Sequence, residues 1–494
     1  NKQVSVDIFA LSEASSDEGR TAAAIQNDLQ VSSTFAEGDE MGLAVSGRGA
    51  GYTEWQEVIA PINKIDAEVH RGGDFRVDVV VRTLGVGHFF PGGTVDAYDV
   101  WVELKAEDET GRTFFWSGFV PEDEHGRKGP VDPSAHFYRS RMLDERGNPI
   151  NKRNAWATRS VAYVRLIPPG AADTVHYRIH VPEDIGNTIK LTARVNYRKF
   201  NWWNTQWAYA GERDPNDPDP EVSSGYDSGG WVFTADTSTV SGELKEIPDL
   251  PITVMAEATT KIRVADTKLK APNLGSVLEK EDLLRWNDYG IGLLLQGDLK
   301  AAEQIFLKVT EISPEYADGW VNVGRARLLE GRTDEAQEAL KTALELNPDL
   351  AKSHFFLGLT FKNQGEYEVA LQHFLIASEQ YPRDRVVLNQ IGRILFLQRE
   401  FEQAITLFQK VLAIDSEDLQ AHYNLMLCYR ALRNAELAEH QQALYLRFKA
   451  DEDAQAILGP YLREHPHDNN ERQAVHEHRS FPIEGKPMHA TGTF

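Results

Sequence analysis

Residues 315–348 read EYADGWVNVGRARLLEGRTDEAQEALKTALELNP, and residues 349–382 follow the same plan as DLAKSHFFLGLTFKNQGEYEVALQHFLIASEQYP. The two segments align on a 34-residue step that runs through the second half of the chain. Proline recurs at Pro314, Pro348 and Pro382, and glycine at Gly290, Gly324, Gly358 and Gly392. A small slot holds Ala302, Ala336, Ala370, Ala404 and Ala438. Ahead of the glycines stand Trp286, Trp320, His354 and Leu388, with His422 one step on. An apolar slot adds Phe306, Leu340, Phe374 and Phe408. Small residues at a fixed step let two helices approach closely. A proline lacks the N–H that a continuing helix needs, so it closes one unit before the next begins. The pattern predicts five helix–turn–helix units over about 283–450, stacked into a superhelix with a concave binding face.

This period and slot pattern resembles the tetratricopeptide repeat. The resemblance implies that the second half of the protein is built to hold another macromolecule.

At 494 residues, the chain is long enough for a few domains on the usual length of roughly 100–200 residues each. Acidic residues number 75 against 52 basic ones, a net charge of −23. That balance argues against nucleic acid as a partner, because a phosphate backbone calls for a basic stripe. No run of apolar residues is long enough to span a bilayer, which takes about 20. The first residue is Asn1, which reads as a mature form with its leader removed. Cys428 is the one cysteine. It excludes an internal disulfide and any Cys-x-x-Cys-His haem attachment within this sequence, and it reads as a small core residue.

The first half reads as β-structure. Phe75, Val77, Val79 and Val81 alternate with Arg76, Asp78, Val80 and Arg82. Asp99, Trp101, Glu103 and Lys105 alternate with Val100, Val102, Leu104 and Ala106. The Glu109–Arg112 turn then leads into 113–119 as a hairpin. Further strands are expected at 158–167, 173–181 and 188–198. Short strands with Gly/Pro turns and no helical interludes predict a β-sandwich over 66–245. Residues 1–65 read as an extended segment with a strand near Val4–Leu11. Residues 246–282, with Pro248, Pro251 and Pro272, read as a linker, and 451–494 as a helix followed by a His-containing tail.

Several segments carry candidate site residues. His88, Phe89, Phe90 and Pro91 lie in a glycine-rich loop, where His88 reads either as an iron ligand or as a loop histidine bonding the backbone. A long polar loop at 132–156 brings His136, Tyr138, Arg139 and Trp156, either lining a binding surface or tying the loop down. Trp202, Trp203 and Trp207 read as a stacking surface or as core filling. Asp214, Asp217 and Asp219 form an acidic run that either binds Ca²⁺ or is a solvated loop; its spacing matches no EF-hand. In the tail, His476 and His478 share one face of an extended strand, a weak metal pattern that fits a docking tail better than a zinc site. No nucleophile elbow, phosphate loop or His-Glu-x-x-His motif appears.

The stretch Gly87-His88-Phe89-Phe90-Pro91-Gly92-Gly93-Thr94-Val95-Asp96 resembles a motif of multihaem c-type cytochromes. It is similar to the non-haem region of large multihaem proteins that end in tetratricopeptide repeats. Ala135–Arg139, Asn148–Trp156 and Asn469–His478 are similar to further stretches of those proteins. The Cys-x-x-Cys-His sites of that family are missing here, so no haem is covalently held by this sequence. The resemblance implies an extracytoplasmic (periplasmic or cell-surface) protein working beside a multihaem cytochrome. His88, or less readily His136 or His476, would then complete a partner's haem c in trans, with His478 beside His476 as a further candidate ligand. The first expectation is a non-catalytic scaffold that docks such a cytochrome, binds further protein through its repeats and self-assembles, for instance in a haem filament. The alternatives are the non-haem part of an oxidoreductase with a substrate site beside a partner haem, and a carbohydrate-binding adhesin using the tryptophans.

Overall fold

The computed structural model describes residues 3–14, 57–216, 222–227, 229, 231–233, 247–266, 276–449, 459–465 and 477–482. The chain forms two compact bodies, a β domain and a repeat domain.

In chain order the β domain carries β1 (Val4–Glu13), β2 (Glu68–His70), β3 (Asp74–Thr83), β4 (Asp99–Asp108), β5 (Thr113–Ser117), β6 (His136–Phe137) and β7 (Ser140–Leu143). It continues with β8 (Ser160–Val164), β9 (Ala172–His180), β10 (Thr188–Arg198), α1 (Trp202–Ala210), β11 (Gly211–Arg213), β12 (Trp231–Phe233) and β13 (Ile252–Ala265). One sheet orders β1-β3-β9 antiparallel. The other orders β2-β13-β10-β4-β5, antiparallel except where β2 meets β13. The expected alternation sets the core between them. Val77, Val79 and Val81 of β3 bury with Val102, Leu104 and Ala106 of β4 in one apolar cluster. Each such side chain contributes about 1.5–3 kcal/mol on burial. The turn after β4 is pinned by Asp108, whose Oδ1 accepts from the Thr110 and Arg112 amides, and Gly111 supplies the positive φ there.

Three sequence readings are corrected. The sandwich takes in β1, well before residue 66, because β1 pairs along the length of β3. The stretch read as a linker supplies β13, paired over its length with β10. Its prolines flank the strand instead of interrupting it. The expectation of no helical interlude fails at α1, where the three tryptophans lie. On the other face of β3, Arg76, Asp78 and His176 are buried, with Asp78 accepting from both partners at 2.7 and 2.8 Å.

The repeat domain holds five helix pairs: α2 (Leu283–Gln296) with α3 (Leu299–Ile312), α4 (Ala317–Leu329) with α5 (Thr333–Leu346), α6 (Ala351–Gln364) with α7 (Tyr367–Gln380), α8 (Arg385–Leu397) with α9 (Phe401–Ile414), and α10 (Leu419–Ala431) with α11 (Ala435–Phe448). Each helix packs on the next. α4 also meets α6, and α8 meets α10, so first helices of successive pairs form one face. The slots have physical roles. A β-carbon on Gly290, Gly358 or Gly392 would fall 2.6–2.7 Å from the ring of Phe306, Phe374 or Phe408. The aromatic slot clamps the turn before its helix. Trp320 Nε1 donates to the Pro314 carbonyl at 2.9 Å, His354 Nε2 to that of Pro348 at 2.9 Å, and His422 Nε2 to that of Ser416 at 3.0 Å. Cys428 is buried in this core.

The chain then returns to the β domain with α12 (Pro460–Glu464) and β14 (Glu477–His478). β14 adds to β9 in parallel and becomes the edge of the first sheet.

Candidate ligand-binding cavity

A cavity of about 590 Å³ opens in the β domain. That is the size of a small-molecule site, which runs from about 300 to 1,000 Å³. Its walls come from the 130–151 loop with β7, from the start of α1, and from the two C-terminal pieces 460–465 and 477–481.

Part of the long loop lines the cavity, and Arg139 is in the wall with Trp202 and Trp203. Tyr138 is not. It is fully buried, edge-on to Phe90 at 6.1 Å and to His136 at 5.1 Å. Residues 137 and 139 flank it on the opposite side of the chain, which is what an extended backbone requires. His136 is buried behind the wall. Trp156 is 84% exposed and Trp207 is 42% exposed, and neither borders the cavity. Trp202 and Trp203 meet edge to face at 4.8 Å, so they offer no coplanar sugar platform.

Sequence reading missed Arg141, Tyr163 and Tyr461. The i, i+2 spacing of Arg139 and Arg141 along an extended segment was the available signal. In β7–β8, Arg141 lies opposite Tyr163, next to a register shift. Tyr461 arrives from α12, whose Leu462 packs with Leu143 and Tyr163. Nothing local in the sequence announces that contact.

The charges of the wall are unevenly matched. Arg198 forks onto Asp99, with Nη2 to Oδ2 at 2.7 Å, and both are buried. Arg139 reaches the same carboxylate only at 4.0 Å, donates from Nε to Tyr163 Oη at 3.2 Å, and lies flat on the Phe137 ring at 3.6 Å. Asp132 is buried, and burial raises its carboxyl above the usual range against hydrogen bonds from Ser134 and Gly118. Burial, together with Tyr197 and Asp96, pushes the Tyr98 phenol up to about 12, so it stays protonated and donates to the Gly92 carbonyl at 2.8 Å.

Behind the cavity, His136 and His478 clasp β14 in place. His136 Nε2 donates to Asp173 Oδ2 at 2.8 Å, and its Nδ1 accepts from Arg165 Nη1 at 3.1 Å. His478 Nδ1 donates to the Ser134 carbonyl at 2.7 Å, and its Nε2 lies 3.1 Å from His136 Nδ1. With Nδ1–H committed to a carbonyl, a hydrogen bond between the rings needs a second proton on His478. His478 is buried, with Nδ1 given to a carbonyl and Nε2 turned into the His136 ring, so it is closed to a partner's metal. Arg178 fixes Glu477 at 2.6 Å, and the Phe481 amide donates to the Trp116 carbonyl at 2.8 Å.

His88 stands apart from the cavity on an exposed loop. Its Nδ1 donates to the Phe89 carbonyl at 2.7 Å. The ring rests against Gly92, where any β-carbon would collide with it. Phe90 and Pro91 are buried beneath the loop, and Phe90 pairs with Ile167. His476, Asp217 and Asp219 lie outside the described residues. Asp214 accepts from the Asn216 amide at 2.8 Å. Among the described residues no group of three or more His, Cys, Asp or Glu is placed to hold a metal ion, and no helix is long and apolar enough to cross a membrane.

Comparison with known proteins bears on the repeat domain. Tetratricopeptide-repeat models match residues 293–354 and 389–466. The anaphase-promoting complex subunit CDC16 of Saccharomyces cerevisiae is 27% identical over 147 residues, 28% of this chain and 18% of that protein. The type IV pilus assembly protein PilF of Pseudomonas aeruginosa is 29% identical over 125 residues, 25% of this chain and 48% of that protein. The chain thus spans less than half the length of these curated relatives. A solved structure of PilF from Pseudomonas aeruginosa superimposes with a TM-score of 0.33 at 22% identity, covering 36% of this chain and 81% of that one. The helical half of this chain carries tetratricopeptide repeats, a unit whose stacked arrays present binding surfaces to other proteins.

Proposed function

We propose that the protein is an extracytoplasmic scaffold subunit whose β domain docks a multihaem c-type cytochrome, while its repeats hold a further protein or another copy in the same assembly. The observation that carries this reading is the His88 loop. With Nδ1–H given to a backbone carbonyl, Nε2 holds the lone pair on an exposed ring. That is the form in which histidine ligates haem iron. The cytochrome-like motif surrounding His88 supports the choice of partner. An extracytoplasmic location follows from the partner, because haem c is attached there. The test is native purification with an absorbance scan and mass spectrometry. A Soret band with a Cys-x-x-Cys-His-rich partner is expected, and His88→Ala should change that partner's haem spectrum. A colourless, solitary protein overturns the reading.

The cavity favours a second reading, in which the β domain is the non-haem part of an oxidoreductase and shapes a substrate site beside a partner haem. Loss of a substrate-dependent activity in Arg139→Gln, with the complex still assembled, would select it. An unchanged activity would reject it.

A further inference from the structure

We propose that the β-domain cavity binds a small ligand presenting an oxyanion, carboxylate or phosphate, on a planar apolar body. The inference deepens the second reading by naming a ligand class, and it needs no haem partner to hold.

The argument begins with the guanidinium groups. Arg139, Arg141 and Arg198 all border the cavity. The ion pairs among them converge on one carboxylate, Asp99, which the Arg198 fork already occupies. Arg139 approaches it only at 4.0 Å, and among the described residues Arg141 has no carboxylate within ion-pair distance. Arg141 Nε is sealed from solvent and meets no hydrogen-bond partner there. An orphaned buried donor on a permanently charged group costs stability, and such groups persist where something else satisfies them. The wall also carries Asp96, Asp132, Glu464 and Glu477. Asp132 is held by Ser134 and Gly118, and Glu477 by Arg178. Among the described residues Arg141 is thus left without a carboxylate at ion-pair distance, and Arg139 shares its one distant carboxylate with Arg198. Planar guanidiniums two residues apart on one strand face match the two-oxygen edge of a carboxylate or phosphate.

Aromatic side chains line part of the remaining wall, among polar groups such as Asn148, Asn151 and Glu464. Phe137 backs the Arg139 guanidinium, Trp202 and Trp203 form one side, and Tyr461 lies beneath Arg141 with ring-to-cation distance 5.6 Å. These aromatic groups add apolar area against which the body of a ligand is buried. A bare inorganic anion would fill a small part of about 590 Å³ and leave those faces wet.

The test is isothermal titration calorimetry on the full chain with 2-naphthoate, 2-naphthyl phosphate and the neutral isostere 2-naphthamide. At least one anion should bind tenfold or more tightly than the amide, the order expected of charge-assisted hydrogen bonds. Which anion wins distinguishes a carboxylate ligand from a phosphate. Arg141→Met should erase the preference. Arg139→Gln, which keeps the stacking body, should reduce it severalfold and guards against a folding defect in the first variant. Equal affinity for anion and amide, a preference surviving in both variants, or no binding of any probe at millimolar concentration overturns the proposal. None of these outcomes bears on cytochrome docking, which is read from co-purification and the His88→Ala spectrum.

Discussion

Gly358 sits so close to Phe374 that a β-carbon on it would lie 2.7 Å from ring Cε1. Eight-tenths of an ångström or more of that approach is forbidden to ordinary carbon contacts, which prefer about 3.5–4.0 Å. Gly365, further along, is a glycine for another reason: its φ is +82°, and nothing lies within 4 Å of an added β-carbon. Gly358→Val is expected to cost about 2 kcal/mol by overpacking, and Phe374→Ala in the same chain should recover part of that loss. Gly365→Ala should cost about 1 kcal/mol through the backbone alone, with no coupling to residue 374. Urea unfolding of the two glycine variants, of Phe374→Ala and of the two double variants checks both.

The ring N–H clamps predict a second series. His354→Leu removes the donor to Pro348 and reproduces what the sequence already has at Leu388, and Trp320→Phe does the same at Pro314. Each should lower stability by about 1 kcal/mol. Leu388→His should gain nothing, since Asp384 already caps that helix at Val386 and Val387. Denaturant midpoints at constant slope would show it.

Acidification should loosen the repeat domain. Burial, then His354 and Lys341, push the His373 imidazole down to about 4 from 6.5. The ring stacks on Phe361 at 5.4 Å, and its Nδ1 lies 2.8 Å from His354 Nδ1. The unfolded chain takes up the proton first, so stability is complete above pH 6.5 and falls as pH drops from 6.5 toward 4. Allowing for solvent screening of a half-buried ring, the loss is about 1–2 kcal/mol. His373→Asn should flatten the profile in that window, and thermal melts at stepped pH would read it.

Cys428 should be inert while the protein is folded. Burial pushes its thiol up to about 12, so almost no thiolate is present at neutral pH. Labelling by iodoacetamide should follow unfolding of the repeat domain and be absent before it. Rapid labelling of native protein would contradict this packing.

The clasp on β14 predicts that His478→Phe, similar in shape, destabilises the β domain by about 2 kcal/mol through loss of the Ser134 and His136 bonds. Hydrogen exchange at Tyr177 and neighbouring amides of β9 should rise. An unchanged pattern would mean that Arg178–Glu477 and Phe481 hold the strand unaided.

The repeat helices were legible because their period is carried by steric necessities, such as Gly358 against Phe374, that leave fixed residue types at fixed steps. β3, β4 and β10 were legible from alternation. β13 was not, because prolines at 248 and 251 drew attention from its β-branched run, although its register with β10 is long. Half of the cavity was within reach, in Arg139 and the tryptophans. The other half depends on Tyr461 and His478, which reach it across 342 residues in the case of the His136–His478 pair. No local pattern encodes a contact of that separation.

The parallel pairing of β14 with β9 also sets an order of events during synthesis. The ribosome delivers Ala265, the end of β13, about 210 residues before Glu477, and the whole repeat domain is made in between. At about 5–20 residues per second, the otherwise finished sandwich waits roughly 10–40 s for β14. Until then the β9 edge is open to water, to proteases and to other nascent chains. A product that stops anywhere in the repeats keeps that edge open, so closure of the sheet serves as a mark that translation has run through to the tail.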